Sequence, residues 1–461
     1  MKLASKRPWL PALAAILLAI LAPPAAAREA PLVDLEGAIG PAAAVFVADA
    51  LTAAQRQDAP LLVLRIDTPG GLDSAMRAIV KSIVASTVPV IGYVAPGGAR
   101  AASAGTYILY ACQVAAMAPG TNLGAATPVQ IGGLTGAAPS PAPAAVDGKP
   151  TPEPNGDAMT HKRVNDATAY LRSLAELRGR NADWAERAVR EGASLSAEAA
   201  LKLQAIDLIA PDVGDLLTQA NGRRVVTAAG PRVLDTAGIT LIERHPGWPD
   251  RFLAVVSNPN IAYILLLIGF YGLVYEIANP GTVLPGTVGA ICLLLALYAF
   301  QLLPVSWAGL ALIGLGLGLM IAEAFVPSFG ALGVGGMTAF VIGSLILIDT
   351  DAPGYAISIP LIIGFAVASA VLLVLVVGMA IKAQRRPVVT GGEQLIGAPG
   401  TAVSGFPGAG SVHLHGEIWS AYSPQAIPPG AAIRVLAREG LILAVEPLTE
   451  QHPSSQPQSN D

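Results

Sequence analysis

Cysteine and histidine are almost absent from this chain of 461 residues: there are two cysteines, Cys112 and Cys292, and five histidines, none at a metal-ligand spacing. One cysteine falls in a predicted soluble helix and the other in an apolar run, so no disulfide framework is expected. With no His-Glu-x-x-His element and no cysteine cluster, neither a metal nor a cofactor is expected. Charge is scarce as well. Only 13% of residues are charged, the net charge is −4 and no basic block occurs, which speaks against a nucleic-acid partner. What fills the chain instead is apolar: 53% hydrophobic content and a mean hydropathy of +0.57 require part of it to lie in a lipid bilayer.

The composition changes along the chain. Residues 1–27 begin with Lys2, Lys6 and Arg7, continue through an apolar run and end in small residues at Ala27. That is the pattern of a secretory signal peptide, with an uncleaved anchor as the alternative. Residues 30–245 alternate strand-like and helix-like runs and predict an α/β domain with its own core, with a strand over 205–210 and a closing terminal hairpin over 225–242. Within it, residues 136–157 are rich in Pro and Ala and predict a mobile insertion, either a lid or a tolerated surface excursion.

Residues 258–381 are nearly free of charge and predict about five membrane helices, roughly 258–277, 284–303, 306–326, 330–348 and 358–381. Lys382, Arg385 and Arg386 follow directly, which makes that end cytoplasmic. An odd number of crossings then puts the α/β domain outside the cytoplasm, in a multi-pass protein of the inner (cell) membrane. Glu276 and Glu323, near span ends, are assigned no role. Closely spaced strand patterns in 388–448, one of them over 411–421, predict a small all-β barrel, and the polar 451–461 a disordered tail.

One stretch draws the chemistry together. A β-branched strand candidate at 88–94 runs into Pro96-Gly-Gly-Ala-Arg-Ala-Ala-Ser-Ala-Gly-Thr-Tyr107 and then a helix; upstream, a strand at 61–66 runs into Asp67-Thr-Pro-Gly-Gly71 and a second helix. Parallel units of this kind bring both glycine turns to the carboxyl edge of neighbouring strands, facing one crevice. Ser103 stands at a helix start there, among small residues and free N–H groups, as a nucleophile would. A cap or packing role is the alternative. Farther on, a helix over 159–177 has the apolar stripe Val164, Ala167, Leu171 and Leu174, with Lys162 nearly opposite it. From the pattern alone Lys162 is either solvated or a base, and His161 beside it is a second, weaker candidate.

In combination, Asp67-Thr-Pro-Gly-Gly71, Ala102-Ser-Ala-Gly-Thr-Tyr107, Lys162-Arg-Val-Asn-Asp166 and Arg178-Gly-Arg-Asn-Ala-Asp-Trp-Ala-Glu186 resemble the membrane-bound, ClpP-class serine proteases of the long NfeD type. The resemblance covers nearly the whole chain. It implies an α/β ClpP/crotonase-like domain, a multi-span α-helical membrane domain and a small C-terminal all-β OB-like barrel, the last carried by Gly416-Glu-Ile-Trp-Ser420. It also implies that Lys162 is general base to Ser103, and that N–H groups of Gly70, Gly71 and Ala104 form the oxyanion hole. The implied substrate is a hydrophobic peptide segment, with a stomatin-like membrane protein as partner and a homodimer or higher homo-oligomer as the assembly. A Ser-Lys dyad makes a physical demand: lysine, with a solution pKa of ~10.4, accepts a proton only where burial pulls that value down. Two rivals remain: a non-proteolytic scaffold for stomatin-like assemblies, and a CoA-binding relative of the crotonase fold.

Overall fold

The computed structural model describes residues 28–128, 155–326, 328, 330–350, 352–384 and 392–448. The predicted signal peptide, most of the predicted insertion and the C-terminal tail lie outside the described residues. The first half of the α/β domain runs β1 (Arg28–Glu36), α1 (Pro41–Arg56), β2 (Leu62–Asp67), α2 (Asp73–Val84), β3 (Val90–Val94), β4 (Arg100–Ala102), α3 (Ala104–Ala111), β5 (Val114–Met117) and β6 (Asn122–Gly124). The second half runs α4 (Asn155–Arg178), α5 (Ala182–Arg190), β7 (Ser194–Ser196), α6 (Ala197–Lys202), β8 (Leu208–Ile209), α7 (Val213–Ala220), β9 (Arg224–Thr227), β10 (Gly230–Val233), β11 (Ile239–Arg244) and α8 (Trp248–Val256).

Six strands form one sheet in the order β11-β1-β2-β3-β5-β8, and every pairing in it is parallel. Parallel strands need crossovers, and the helices that provide them cover both faces. That is why β2 and β3 read as unbroken apolar runs: Leu62, Val63, Leu64, Ile66, Val90, Ile91 and Val94 are all fully buried. Each such side chain contributes about 1.5–3 kcal/mol through burial. The two glycine turns therefore leave adjacent parallel strands at the same edge, as the sequence predicts.

Three expectations need correction. Residues 225–242 are not a single hairpin: β9 and β10 pair antiparallel, but β11 leaves them and joins β1 at the sheet edge. Its Ile239 and Leu241 pack on the core cluster that includes Ala30 and Leu32, which a free hairpin would leave in water. The last three positions of the predicted insertion, 155–157, belong instead to α4, which starts at Asn155. Finally, the strand expected over 205–210 shrinks to Leu208–Ile209, since the N–H groups of Ala205 and Ile206 turn back to the Ala200 carbonyl.

Five apolar helices follow: α9 (Pro259–Ala278), α10 (Leu284–Leu302), α11 (Trp307–Phe325), α12 (Ala331–Leu345) and α13 (Ile359–Gln384). Three stretches, Pro259–Ala278, Leu284–Leu302 and Ile359–Met379, are long and apolar enough to cross a bilayer, whereas α11 and α12 hold shorter apolar runs. The helices pair as α9–α10 and α11–α12 through small residues. A Cβ at Gly269 would fall 2.8 Å from the Leu293 nitrogen, and one at Gly316 would fall 2.6 Å from the Phe340 nitrogen. Backbones this close exclude larger side chains and maximise dispersion contact where no hydrophobic effect acts. The hairpins repeat each other: Gly269, Glu276, Gly286 and Gly289 recur as Gly316, Glu323, Gly333 and Gly336. The glutamates close the turns. Glu276 accepts from the Thr282 hydroxyl at 2.8 Å and the Val283 N–H at 3.0 Å. Glu323 accepts from the N–H groups of Ser328, Gly330 and Gly333 and from the Ser328 hydroxyl.

Residues 392–448 form a separate unit, a closed barrel of five strands: β12 (Pro399–Ala402), β13 (Phe406–Leu414), β14 (Glu417–Ile427), β15 (Ala432–Glu439) and β16 (Ile442–Pro447). The strand expected over 411–421 is in fact two. His415 and Gly416, at φ 52° and 88°, turn the chain between β13 and β14, and positive φ at both central residues is what a type I′ hairpin requires.

Candidate active site

The two glycine turns are bonded to each other. The Thr68 N–H donates to the Arg100 carbonyl at 2.7 Å, and the Ala102 N–H donates to the Thr68 carbonyl at 3.1 Å. The Asp67 carboxylate accepts from the Arg100 N–H at 3.1 Å. One residue later the Ser103 N–H donates to the Gly124 carbonyl at 3.0 Å, and the Thr106 hydroxyl reaches the carbonyls of Ala101 and Gly124, both at 2.9 Å. These bonds hold Ser103 at φ 51°, ψ −114°. For a residue with a Cβ that conformation costs on the order of 1–3 kcal/mol, and it persists only where the surroundings over-determine it. It turns a strand end sharply into α3, with Ser103 partly buried at the helix N-terminus.

The turn is built for close approach. A Cβ on Gly70, whose φ is 119°, would lie 2.7 Å from the Ser103 Cβ, and one on Gly71 would lie 2.2 Å from the Ile39 carbonyl oxygen. Only glycine fits at either place. Ser103 does not cap α3, which removes the simplest structural role for its hydroxyl. Of the three expected donors, the Gly70 N–H is engaged by the Thr68 hydroxyl at 3.0 Å. The N–H groups of Gly71 and Ala104 have no acceptor among the described residues, and both residues border with Ser103 on a cleft of about 150 Å³.

Lys162 is elsewhere. It is exposed near the start of α4, and no hydrogen bond or ion pair joins its side chain to Ser103 or to any other described residue. His161 is exposed too. The cleft is lined from α4 by Ala167, five residues on, which is ~7.5 Å along the helix and about 140° around it. From Asn165 onward α4 is docked, and the Arg190 side chain donates to the Asn165 side chain at 3.0 Å. Arg77 of α2 bonds Asp166 at 2.7 Å and Asp73 at 2.8 Å and lies 4.5 Å from the centre of the Tyr170 ring. The Tyr107 hydroxyl donates to the Ala126 carbonyl at 3.3 Å and reaches that of Ala167; burial raises its pKa, so it stays a neutral donor. The geometry thus joins Ser103 to Gly71 and Ala104 and leaves Lys162 apart.

Two arginines that sequence reading used only as alignment marks belong to the same structure. Arg180, 6% exposed, donates to the carbonyls of Leu109, Tyr110 and Cys112 and to Asp207 at 2.7 Å. Arg178 donates to the Ala111 carbonyl at 2.9 Å. Together they satisfy the carbonyl end of the helix that begins at Ser103. Cys112, at that same end, is fully buried, and burial pushes its thiol up to about 12, so it is inert.

A serine on a strained strand-to-helix turn, at the carboxyl edge of a parallel sheet and tethered to apolar helices, defines a membrane-bound α/β protein with a preformed serine turn. Comparison with known proteins agrees. Residues 260–379 match the NfeD integral membrane domain, residues 392–447 the NfeD-like C-terminal, partner-binding domain and residues 31–141 the NfeD1b N-terminal domain. The chain is 34% identical over 411 residues to the membrane-bound protease PH1510 of Pyrococcus horikoshii, covering 86% of this chain and 88% of that one. It is 29% identical over 353 residues to the membrane protein NfeD1b of Bacillus subtilis, covering 74% and 71%. The chain belongs to the NfeD family, in its long, membrane-bound protease form. Among solved structures, it is similar to a lysine-to-alanine variant of the 1510-N stomatin-specific protease with a substrate peptide, at 32% identity and a TM-score of 0.43 over 50% of this chain and 97% of that one. A further structure of 1510-N from Pyrococcus horikoshii has 30% identity and a TM-score of 0.40 over 50% and 98%.

Proposed function

We propose that this protein is a serine endopeptidase of the ClpP class, with Ser103 as nucleophile and Lys162 as general base. The observation that carries the reading is the Ser103 turn: a strained serine whose side chain makes no cap bond beside two N–H groups with no acceptor among the described residues, those of Gly71 and Ala104. In the reaction the Ser103 Oγ attacks the scissile carbonyl while Lys162 takes its proton. The oxyanion forms against the Gly71 and Ala104 N–H groups, each worth about 3 kcal/mol of barrier, and Lys162 then returns the proton to the leaving amine. Gly70 keeps the turn narrow, and its own N–H becomes a donor only on leaving Thr68.

The reading requires the start of α4 to swing or unwind so that Lys162 meets the cleft when peptide binds. Dyad contacts of this kind commonly tighten only in the substrate complex. The Met76, Ala126, Pro128 and Ala167 lining favours apolar side chains, in keeping with a hydrophobic peptide segment. By its likeness to a stomatin-specific protease, the substrate belongs to a stomatin-like membrane partner. The enzyme acts as a homodimer or higher homo-oligomer in the cell membrane, with the protease domain outside and the barrel in the cytoplasm.

The test is cleavage of an apolar peptide by the full chain in detergent micelles. Activity should vanish in Ser103→Ala. Equal activity in Ser103→Ala would remove Ser103 as the nucleophile, whereas a chain that never cleaves but still assembles with a stomatin-like protein would replace the enzyme with a membrane scaffold.

A further inference from the structure

The connector between α12 and α13 reads in sequence as an ordinary link between spans, yet it reaches the Ser103 cleft: Thr350, Ala352 and Pro353 line it together with Ser103 and Ala104. Its two stems are tied to the membrane helices. The Ser306 N–H donates to the Leu347 carbonyl at 2.8 Å and the Asp349 N–H to the Pro304 carbonyl at 2.9 Å, while the Ser358 N–H donates to the Asn260 side chain at 2.9 Å. Its tip is tied to the α/β domain. Ala352-Pro353-Gly354-Tyr355 is a tight turn closed by the Tyr355 N–H on the Ala352 carbonyl at 3.1 Å. Gly354 has φ +84°, where a type II turn calls for glycine after proline.

The turn drives Tyr355, only 8% exposed, onto Gly40 at the N-cap of α1. A Cβ built on Gly40 would fall 1.5 Å from the Tyr355 hydroxyl oxygen, and one on Gly354 would fall 3.3 Å from the Ala38 Cβ. Tyr355 therefore occupies a seat that exists only because residue 40 lacks a side chain. What remains at Ser103 is about 150 Å³, below the ~300 Å³ at which pockets for small ligands begin and too little for a stretch of peptide.

We propose that the Ala352–Tyr355 turn is a strap that narrows the Ser103 cleft at rest, that Tyr355 seated on Gly40 is its latch, and that a peptide reaches Ser103 only when the helices α12 and α13 carry the strap away. Its use in proteolysis rests on the function proposed above, but its test does not. The experiment takes the full chain in detergent micelles with Cys292→Ala and Ser103→Cys, Cys112 being buried and inert, and measures the rate at which a fluorescein maleimide labels position 103.

Open forms of two-state elements are commonly ~0.1–10% populated, so Tyr355→Ala should speed labelling by roughly tenfold or more. Gly40→Ala, which evicts the ring from the opposite side, should do the same, and Tyr355→Phe should stay close to the parent. Equal or slower labelling in both Tyr355→Ala and Gly40→Ala overturns the strap. Peptide cleavage on chains retaining Ser103 separates the two ideas. Faster labelling with no cleavage by any variant keeps the strap and sinks the peptidase, whereas Ser103-dependent cleavage with unchanged labelling does the reverse.

Discussion

Ser103 and Lys162 belong to one domain and are held in opposite ways. Around Ser103 the backbone is tied from three sides, to the Asp67–Gly71 turn through Thr68, to Gly124, and along α3 to the arginines at its far end. Lys162 sits on a helix whose bonds to its neighbours run from Asn165, held by Arg190 at 3.0 Å, and Asp166, held by Arg77 at 2.7 Å, to the buried Ala167. The contrast matches the chemistry that the proposed dyad asks of each group. A nucleophile and its oxyanion donors gain from being rigid before substrate arrives, since no reorganisation is then needed at the moment of reaction. A lysine becomes a base only where burial removes its charge, and holding a neutral amine permanently in an apolar site would destabilise the resting fold. In the proposed dyad the costly half is therefore the half that would be left to motion.

The widest test of that contrast pairs Ser103→Ala with Lys162→Ala. Both should lower peptide cleavage by on the order of a thousandfold or more. Because Lys162 is exposed and unbonded, its loss should leave the thermal midpoint within what about 0.5 kcal/mol allows. Full activity in Lys162→Ala would break the comparison, for the serine would then act without this base.

Stability should show the reverse ranking. Gly71→Ala puts a Cβ against the Ile39 carbonyl at 2.2 Å, an overpacking that should cost about 3 kcal/mol and remove activity along with the turn. Arg163→Ala on the exposed side of α4 should cost no more than about 0.5 kcal/mol. Arg180→Met lies behind the serine wall. It leaves the carbonyls of Leu109, Tyr110 and Cys112 and the Asp207 carboxylate without their cation, and should cost about 3 kcal/mol in a denaturant titration, with activity in the surviving folded fraction little changed. Comparable losses at Arg163 and Arg180 would mean that the two walls are equally firm.

The serine wall was legible because its signals are local. A β-branched run followed by a glycine turn and a helix fixes strand, edge and the place of Ser103 from consecutive residues, and the neighbouring unit at Asp67–Gly71 does the same for its glycine turn. Signals that depend on distant partners were not legible. Residues 239–244 alternate equally well as a hairpin arm or as a sheet edge, and only Ala30 and Leu32 decide between them. Arg180 has no meaning until the end of α3 is known. The connector bearing Tyr355 looks like any polar link between spans, and its seat on Gly40 lies more than three hundred positions away. The hairpin repeat, by contrast, was there to be read, since glycine and glutamate recur at matched positions. It was hidden because the intervening residues are so uniformly apolar that the spacing carries all of the signal.

The smallest effect sharpens the comparison most. Arg77 is the bridge between the walls: it grips Asp73 at the start of α2 and Asp166 on α4, and Asp73 also borders the Ser103 cleft. These pairs are well exposed, so Arg77→Met should cost no more than about 1 kcal/mol in stability. If motion of the α4 start brings Lys162 to Ser103, however, the first docked turn is the pivot of that motion, and loosening it should misplace the base while Ser103 and its donors stay where they are. The expected signature is a fall in kcat of several-fold with KM nearly unchanged, because peptide binding along the cleft does not use Arg77. A rise in KM alone would mean that Arg77 only shapes the cleft, and that the lysine reaches the serine by a movement that does not turn on this contact.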